Sequence, residues 1–350
     1  MEIKELLEYT INKKASDLHL ISGVPPMIRF NGFLSPITAK EILTPQATES
    51  LVFALVNDEQ KEILLINKEL DFSFNYQDQG RFRINAYYQR GNLAAALRLI
   101  PNQIPKINDL GLPEICHQFT QLKQGFILVT GPTGHGKSTT LAAMIDEIVQ
   151  TRPVHIVTIE DPIEYVFQDD KAVIDQREVY QDTLSFARAL RSTFRQDPDV
   201  IMVGEMRDPE TMAIAISAAE TGHLVFSTLH TNSASQSIHR IVDSFPSEQQ
   251  AQIRAQLSGS LLGVISQRLI PRIKGGLIPA CEIMITTPAV ANLIRENKIH
   301  ELPLVIETST ELGMISLTRY LANLVKNKEI SLDNALSYSQ DPVELRALVR

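Results

Sequence analysis

Between the apolar run GFILVT (residues 125–130) and the helix-forming run KSTTLAAMIDEIVQ (137–150) lies GPTGHGKSTT, residues 131–140. Glycine lets a loop fold back so that successive backbone N–H groups face one point, and a helix starting there adds the positive end of its dipole. Gly131, Gly136, Lys137 and Ser138 stand at the G-x-x-x-x-G-K-[ST] spacing, with a strand before and a helix after, the context in which that spacing cradles phosphates. Gly131, Pro132, Thr133, Gly134, His135, Gly136, Lys137, Ser138 and Thr139 are therefore candidates for nucleotide contact. Lys137 is placed to reach the β- and γ-phosphates and the Ser138 hydroxyl to ligate a metal, so ATP with Mg²⁺ is the expected pair. His135 reads as a solvent-facing member of the loop.

The rhythm around this loop is strand, helix, strand. VHIVTIE, DVIMVGE and LVFSTL are buried-strand candidates, separated by helical stretches such as LSFARALRSTFRQ and PETMAIAISAAET. Alternation of this kind implies a mostly parallel sheet covered on both faces, with ligands at the carboxyl ends of its strands. The strand ends carry the acids. Glu205 ends one strand, where a carboxylate can orient an attacking water or support the Mg²⁺ shell, and Gly204 stands where many nucleotide hydrolases have aspartate. Glu160, Asp161 and Glu164 end another, with Pro162 as the stop; Glu205 and Glu164 are the expected functional acids. His223 and His230 bracket LVFSTL, and His230, at the carboxyl end, is placed to report a γ-phosphate. Glu160 and His223 join the residues expected around the nucleotide. Arg188, Arg191 and Arg195 follow helical spacing and read as a solvated face.

The first hundred residues differ. Asn31-Gly32 between apolar flanks signals a hairpin, Thr44-Pro45 a helix start, and GRFRINAYYQRGNLAAALRLI two strands about a Gly91-Asn92 turn. The expectation is a small α+β domain with an antiparallel sheet over 1–100, a proline-rich linker over 101–113, and the α/β domain over 114–350, mainly helical from about Ser247. Arg81, Arg83, Arg90 and Arg98 belong to the first domain; Arg81 and Arg83 alternate onto one strand face and can point at one target, as arginine fingers on a neighbouring subunit's γ-phosphate do.

Charge and cysteines narrow the function classes. A net charge of -8 argues against bulk binding to nucleic acid, which needs a Lys/Arg excess. Cys116 and Cys281 supply neither a disulfide framework nor a cysteine zinc site. Ile3, Leu6, Leu7 and Ile11 fit an amphipathic helix and not a signal peptide. No apolar stretch approaches the roughly 18 residues a membrane-spanning helix needs. The expected location is cytoplasmic, without direct membrane insertion.

GPTGHGKSTTLAAMID, TIEDPIEY, RQDPDVIMVGEMRDPETMAIAISAAETGHLVFSTLHT and ANLIRE, with ASDLHL near the start and TELGM near the end, closely resemble the PilT-like retraction ATPases of type IV pili, within the secretion and pilus motor ATPase superfamily. The resemblance implies a PAS-like N-terminal domain, a RecA-like ATPase domain with a helical C-terminal part, and a homohexamer with ATP at subunit boundaries. It maps a Walker A motif onto 131–138, an aspartate box onto 158–164, a Walker B motif onto 201–205 and a histidine box onto 222–230. Glu205 falls on the catalytic glutamate and Glu164 on the aspartate-box acid. Arg81, Arg83 and Arg98 match arginines acting across the interface. Hydrolysis would turn an inner-membrane platform protein and draw pilins from the fibre, powering twitching motility, with the motor peripheral at the membrane's cytoplasmic face and an accessory retraction ATPase as a further partner. Two positions depart: His135 stands where the family usually has Ser, and Ala291 where Arg is common. Extension and secretion motors share these boxes but add longer N-terminal regions and a tetracysteine zinc element. The accessory retraction paralogue is the nearer rival. A DNA-handling ATPase would want an aromatic-basic stripe, and a non-hydrolysing regulator would lack Lys137 or Glu205.

Overall fold

The computed structural model describes residues 2–30, 32–37, 41–77, 79–100 and 103–350. The chain divides into two compact units, Met1–Gln103 with Pro162–Val166, and Ile104–Asp161 with Phe167–Arg350.

The first unit runs α1 (Ile3–Asn12), β1 (Asp17–Leu20), β2 (Met27–Phe30), β3 (Phe33–Pro36), α2 (Pro45–Phe53), α3 (Asp58–Asn67), β4 (Glu69–Tyr76), β5 (Gly80–Gln89) and β6 (Asn92–Ile100). Its strands form one antiparallel sheet in the order β3-β2-β1-β6-β5-β4. Side chains alternate across a strand, so β5 buries Phe82, Ile84 and Ala86 while Arg81 and Arg83 share the opposite face. Thr44 caps α2 by accepting the Ala47 N–H, with Pro45 at the first helical position. Asn31 of the expected hairpin turn lies outside the described residues, although Phe30 and Phe33 pair across it. The β5–β6 turn falls on Arg90-Gly91, one residue before the expected Gly91-Asn92. Gln89 pairs with Asn92, and the two residues between them have φ of 49° and 79°, the positive values that a tight two-residue hairpin demands.

The second unit comprises α4 (Ile115–Thr120), β7 (Gly125–Thr130), α5 (Lys137–Thr151), β8 (His155–Glu160), β9 (Val173–Glu178), α6 (Phe186–Thr193), β10 (Val200–Val203), α7 (Pro209–Glu220), β11 (Leu224–Leu229), α8 (Ala234–Asp243), α9 (Ser247–Ser260), β12 (Leu261–Pro271) and β13 (Leu277–Ile285). Five further helices follow, α10 (Pro288–Arg295), α11 (Leu302–Thr308), α12 (Leu317–Lys326), α13 (Leu332–Tyr338) and α14 (Pro342–Val349). The sheet order is β13-β12-β7-β11-β10-β8-β9, parallel throughout except for β13. Every residue of β7, β10 and β11 is buried, as a parallel sheet covered on both faces requires. Residues 104–113 group with this unit, and Ile107 and Leu112 are buried.

Beyond Ser247 the expectation of mainly helix misses β12 and β13. Helix α9 ends at Ser260 and β12 begins at the next residue; Gly259 and Gly263 flank the change, but neither takes the positive φ of a helix-ending turn. The hairpin extends the sheet past β7, and Ile270 and Ile278 on it pack against Leu317, Leu321 and Leu345 of the C-terminal helices. Cys116 and Cys281 are buried free thiols; burial pushes the Cys116 thiol up to about 12, which leaves it unreactive. Among the described residues no helix is long and apolar enough to cross a membrane.

Candidate functional site

The phosphate loop starts where β7 ends. Gly131 has φ 145°, and a Cβ there would stand 2.3 Å from the Gln267 carbonyl oxygen of β12, so only glycine fits. Gly134 and Gly136 both take φ 79°, and Gly136 precedes α5 without a side-chain cap, leaving the first N–H groups of a 15-residue helix for an anion. Lys137 is 7% exposed, and its ammonium donates to the carbonyls of Gly131 (2.9 Å) and Pro132 (3.0 Å). Ser138 is exposed on the first turn of α5, and Thr140 donates to the Gln267 side-chain oxygen at 2.7 Å.

A hydrogen-bonded bridge leads from this loop to the neighbouring strand ends. His230 follows β11, and its Nε2 lies 3.1 Å from Glu205 Oε1. Its Nδ1 lies 3.2 Å from Thr133 Oγ1 and 3.4 Å from Lys137 Nζ. A carboxylate only accepts, so Nε2 carries the proton toward Glu205, and in the neutral ring Nδ1 accepts from the loop. The other Glu205 oxygen accepts from Arg207 Nε at 3.0 Å, and Arg207 stands 3.8 Å from Asp161. Gly204 cannot easily be aspartate, because a Cβ there would sit 3.2 Å from the Ile159 carbonyl oxygen of the adjacent strand. Arg207, two residues after Glu205, escaped the sequence reading although its spacing was the available signal.

Other expected site residues lie elsewhere. His135 is not solvent-facing: it is half-buried, its Nδ1 accepts the Leu269 N–H at 2.9 Å, and its ring meets Tyr338 edge to face. His223 precedes β11 and sits at the amino end of that six-residue strand, about 20 Å of strand length from His230. There it bonds Ala218 O and packs on Phe194, so this unit does not bring it to its own phosphate loop. Glu160, 7% exposed, accepts from Thr158 (2.7 Å) and Gln176 (3.1 Å) beside Gly204. Glu164 is exposed on the Pro162–Val166 segment, which groups with the first unit. In that unit Arg83 pairs directly with Arg98 across β5 and β6, Arg98 donates to Asp17 at 3.0 Å, and Arg81 donates to Asn75 and Ser73. Arg191 is ion-paired with Glu210. Among the described residues no cluster of three or more His, Cys, Asp or Glu could hold a metal.

Residues 2–301 match the family described as Type II/IV secretion system protein. The type IV pilus retraction ATPase PilT of Pseudomonas aeruginosa is 48% identical over 342 residues, covering 98% of this chain and 99% of the relative. The type IV pilus ATPase PilU of the same organism is 40% identical over 351 residues, covering 100% of this chain and 92% of the relative. A crystal structure of the pilus retraction motor PilT with bound ADP superposes with a TM-score of 0.93 at 48% identity, over 99% of both chains. The X-ray structure of the Legionella pneumophila ATPase DotB follows at TM-score 0.83 and 28% identity, over 94% of this chain and 92% of that one. The chain belongs to the type II/IV secretion ATPase family and, within it, to the pilus retraction ATPases.

Proposed function

We propose that the chain binds ATP with Mg²⁺ at the phosphate loop and works as a homohexamer, each site being completed by arginines of the adjoining copy. The observation that carries this is the His230 bridge, which joins Lys137 and Thr133 on the loop to the Glu205 carboxylate. Lys137 leaves the carbonyls of Gly131 and Pro132 for the β- and γ-phosphate oxygens, which offer it full negative charge. Glu205 orients the attacking water, and His230, its proton directed at Glu205, registers whether the γ-phosphate is in place. Bound through Ser138, Mg²⁺ would neutralise charge building on the phosphates. Glu160, fastened by Thr158 and Gln176, supports the strand end beside Glu205.

The domain division we propose is a PAS-like domain over 1–100, a connecting segment over 101–113 and a RecA-like domain over 114–350. Arg83 and Arg98 stand opposite one another on one sheet face, a like-charge pairing that the single Asp17 carboxylate bonded by Arg98 offsets only in part and a further anion would relieve. That supports Arg81, Arg83 and Arg98 as donors to a neighbour's γ-phosphate, with Glu164 acting at the same boundary. Domain rotation on hydrolysis would then turn an inner-membrane platform protein from the cytoplasmic side, alone or with an accessory retraction ATPase, and without contacting nucleic acid.

The test is steady-state hydrolysis with sedimentation. Wild-type protein is expected to form a ring with ATPase activity, Lys137→Ala to lose it, and Glu205→Gln to keep nucleotide binding without turnover. A strictly monomeric protein with full activity on dilution would defeat the shared-site arrangement.

A further inference from the structure

Strand β7 ends at Thr130, whose register partner is Ser266, while β12 runs on to Pro271. Past that last pair β12 has no neighbour strand on the β7 side, and the loop takes the vacant edge. Gln267, 2% exposed, donates its side-chain amide to the His135 carbonyl at 2.8 Å and accepts from Thr140 at 2.7 Å, gripping the loop and the start of α5 together. Two residues on, the Leu269 N–H goes to His135 Nδ1 at 2.9 Å. The imidazole thus continues the ladder where the backbone of β7 has stopped.

The other side of the ring faces Tyr338, the last residue of α13, with centroids 6.5 Å apart at 73°. Helix α13 is itself tied to β12, since Asn334 donates to the Pro271 carbonyl at 3.0 Å. Arg272, next in the chain, bonds Glu329 through both Nε and Nη2 just before that helix. One side chain in the loop therefore touches the edge of the sheet and the C-terminal helices at once.

We propose that His135 is a positioning residue for the phosphates: by accepting the Leu269 N–H and packing on Tyr338, it holds the loop amides in their anion-binding arrangement and makes that arrangement depend on α13. The proposal rests on the phosphate loop being the nucleotide site. The bond to Leu269 fixes the tautomer, with Nδ1 the acceptor and the proton on Nε2, and burial near Arg268 and Lys137 also favours the neutral ring.

Three substitutions separate the acceptor from mere bulk. In His135→Asn the amide oxygen sits where Nδ1 was and keeps the bond; in His135→Gln it is one bond too far; His135→Ala has no acceptor. Affinity for a fluorescent N-methylanthraniloyl-ADP and the KM and kcat for ATP would be measured in the full-length protein. Binding by the wild type, and its loss in Lys137→Ala, tests the nucleotide site itself, independently of His135. The expected result is an ADP Kd raised about five- to thirtyfold in His135→Ala and His135→Gln, the effect of one buried N–H left unmatched, with KM following and kcat little changed. His135→Asn is expected within about twofold of wild type, and Tyr338→Leu, which leaves the loop's own bonds in place, intermediate. Hydrogen exchange at Leu269 should accelerate in His135→Ala while Val264 and Ile265, deeper in the sheet, stay protected. Wild-type affinity in His135→Ala, or Asn no better than Ala, would overturn the proposal; an unaltered Tyr338→Leu would remove the link to α13.

Discussion

The two sheets of this chain present chemistry in opposite ways. In the first unit an antiparallel sheet buries one face, and the functional candidates Arg81, Arg83 and Arg98 lie along the other. In the second unit the central strands β7, β10 and β11 are buried over their whole length, so nothing reactive can project from their faces. Its candidate residues are confined to the stretches just after the strands end: the loop after β7, Glu205 after β10 and His230 after β11. A sheet covered on both sides can offer side chains to a ligand only at its rim, whereas one covered on a single side can offer them across its surface.

Substitutions at the rim should have the largest effects. Lys137→Ala is expected to lower ATP hydrolysis by at least ~10³-fold, because the ammonium is held by the loop's own carbonyls at the place where the phosphates would lie. Phosphate release under saturating ATP is the measurement, and activity within tenfold of wild type would show that the rim is not the reactive part. Next comes Glu205→Gln, which keeps the shape of the side chain and its bond from Arg207. It should cost roughly 10²–10⁴ in kcat while nucleotide affinity changes little. An equal loss in affinity would make Glu205 a binding residue.

The surface arginines should behave differently. Arg83→Ala is expected to reduce kcat by about 10–10³-fold in the assembled protein with ADP affinity unchanged, since a finger from another copy acts on the transition state. Stability separates the two faces of the same strand. Phe82→Ala should cost about 3–5 kcal/mol in urea unfolding, and Arg83→Ala within about 0.5 kcal/mol of nothing, because the first is fully buried and the second relieves a like-charge pair. If Arg83→Ala destabilised as much as Phe82→Ala, that face would be structural.

How far the sequence revealed each part follows the same division. The rim was legible because strand, loop and helix are contiguous: the run from Gly125 to Thr151 specifies β7, the loop and α5 by local signals alone. The Thr44 cap and the β5–β6 hairpin were legible for the same reason, the latter to within one residue. What escaped depends on partners distant in the chain. His135 looked solvent-facing because its acceptor role needs Leu269, 134 residues later, on a strand concealed by the unbroken run of α9 into β12. The buried polar Gln267 further obscured that strand, since its burial makes sense only beside the loop it holds. His223 lies away from its own chain's loop for a simpler reason: in a parallel sheet a residue before a strand belongs to the end opposite the strand's carboxyl end.

The smallest expected effect concerns the one rim residue whose protonation the fold opposes. Burial, with Arg268 and Lys137 nearby, depresses the His135 pKa below 6.5, and the Leu269 N–H occupies the nitrogen a second proton would need. Above about pH 7 the ring is neutral in folded and unfolded chains alike, and it contributes no pH dependence. As the pH falls through 6.5 the unfolded chain takes up a proton that the folded chain refuses, so stability declines, by at most about 1.4 kcal/mol per pH unit for one group. His135→Asn has nothing to titrate, so its stability should fall less steeply between pH 7.5 and 5.5, measured by urea unfolding without nucleotide. His19 in the first unit, also depressed by burial, adds the same sign to both proteins and cancels in the difference. Parallel curves would mean that His135 gains its proton as readily in the folded chain as in the unfolded one, and the rim would then be held to β12 by Gln267 alone.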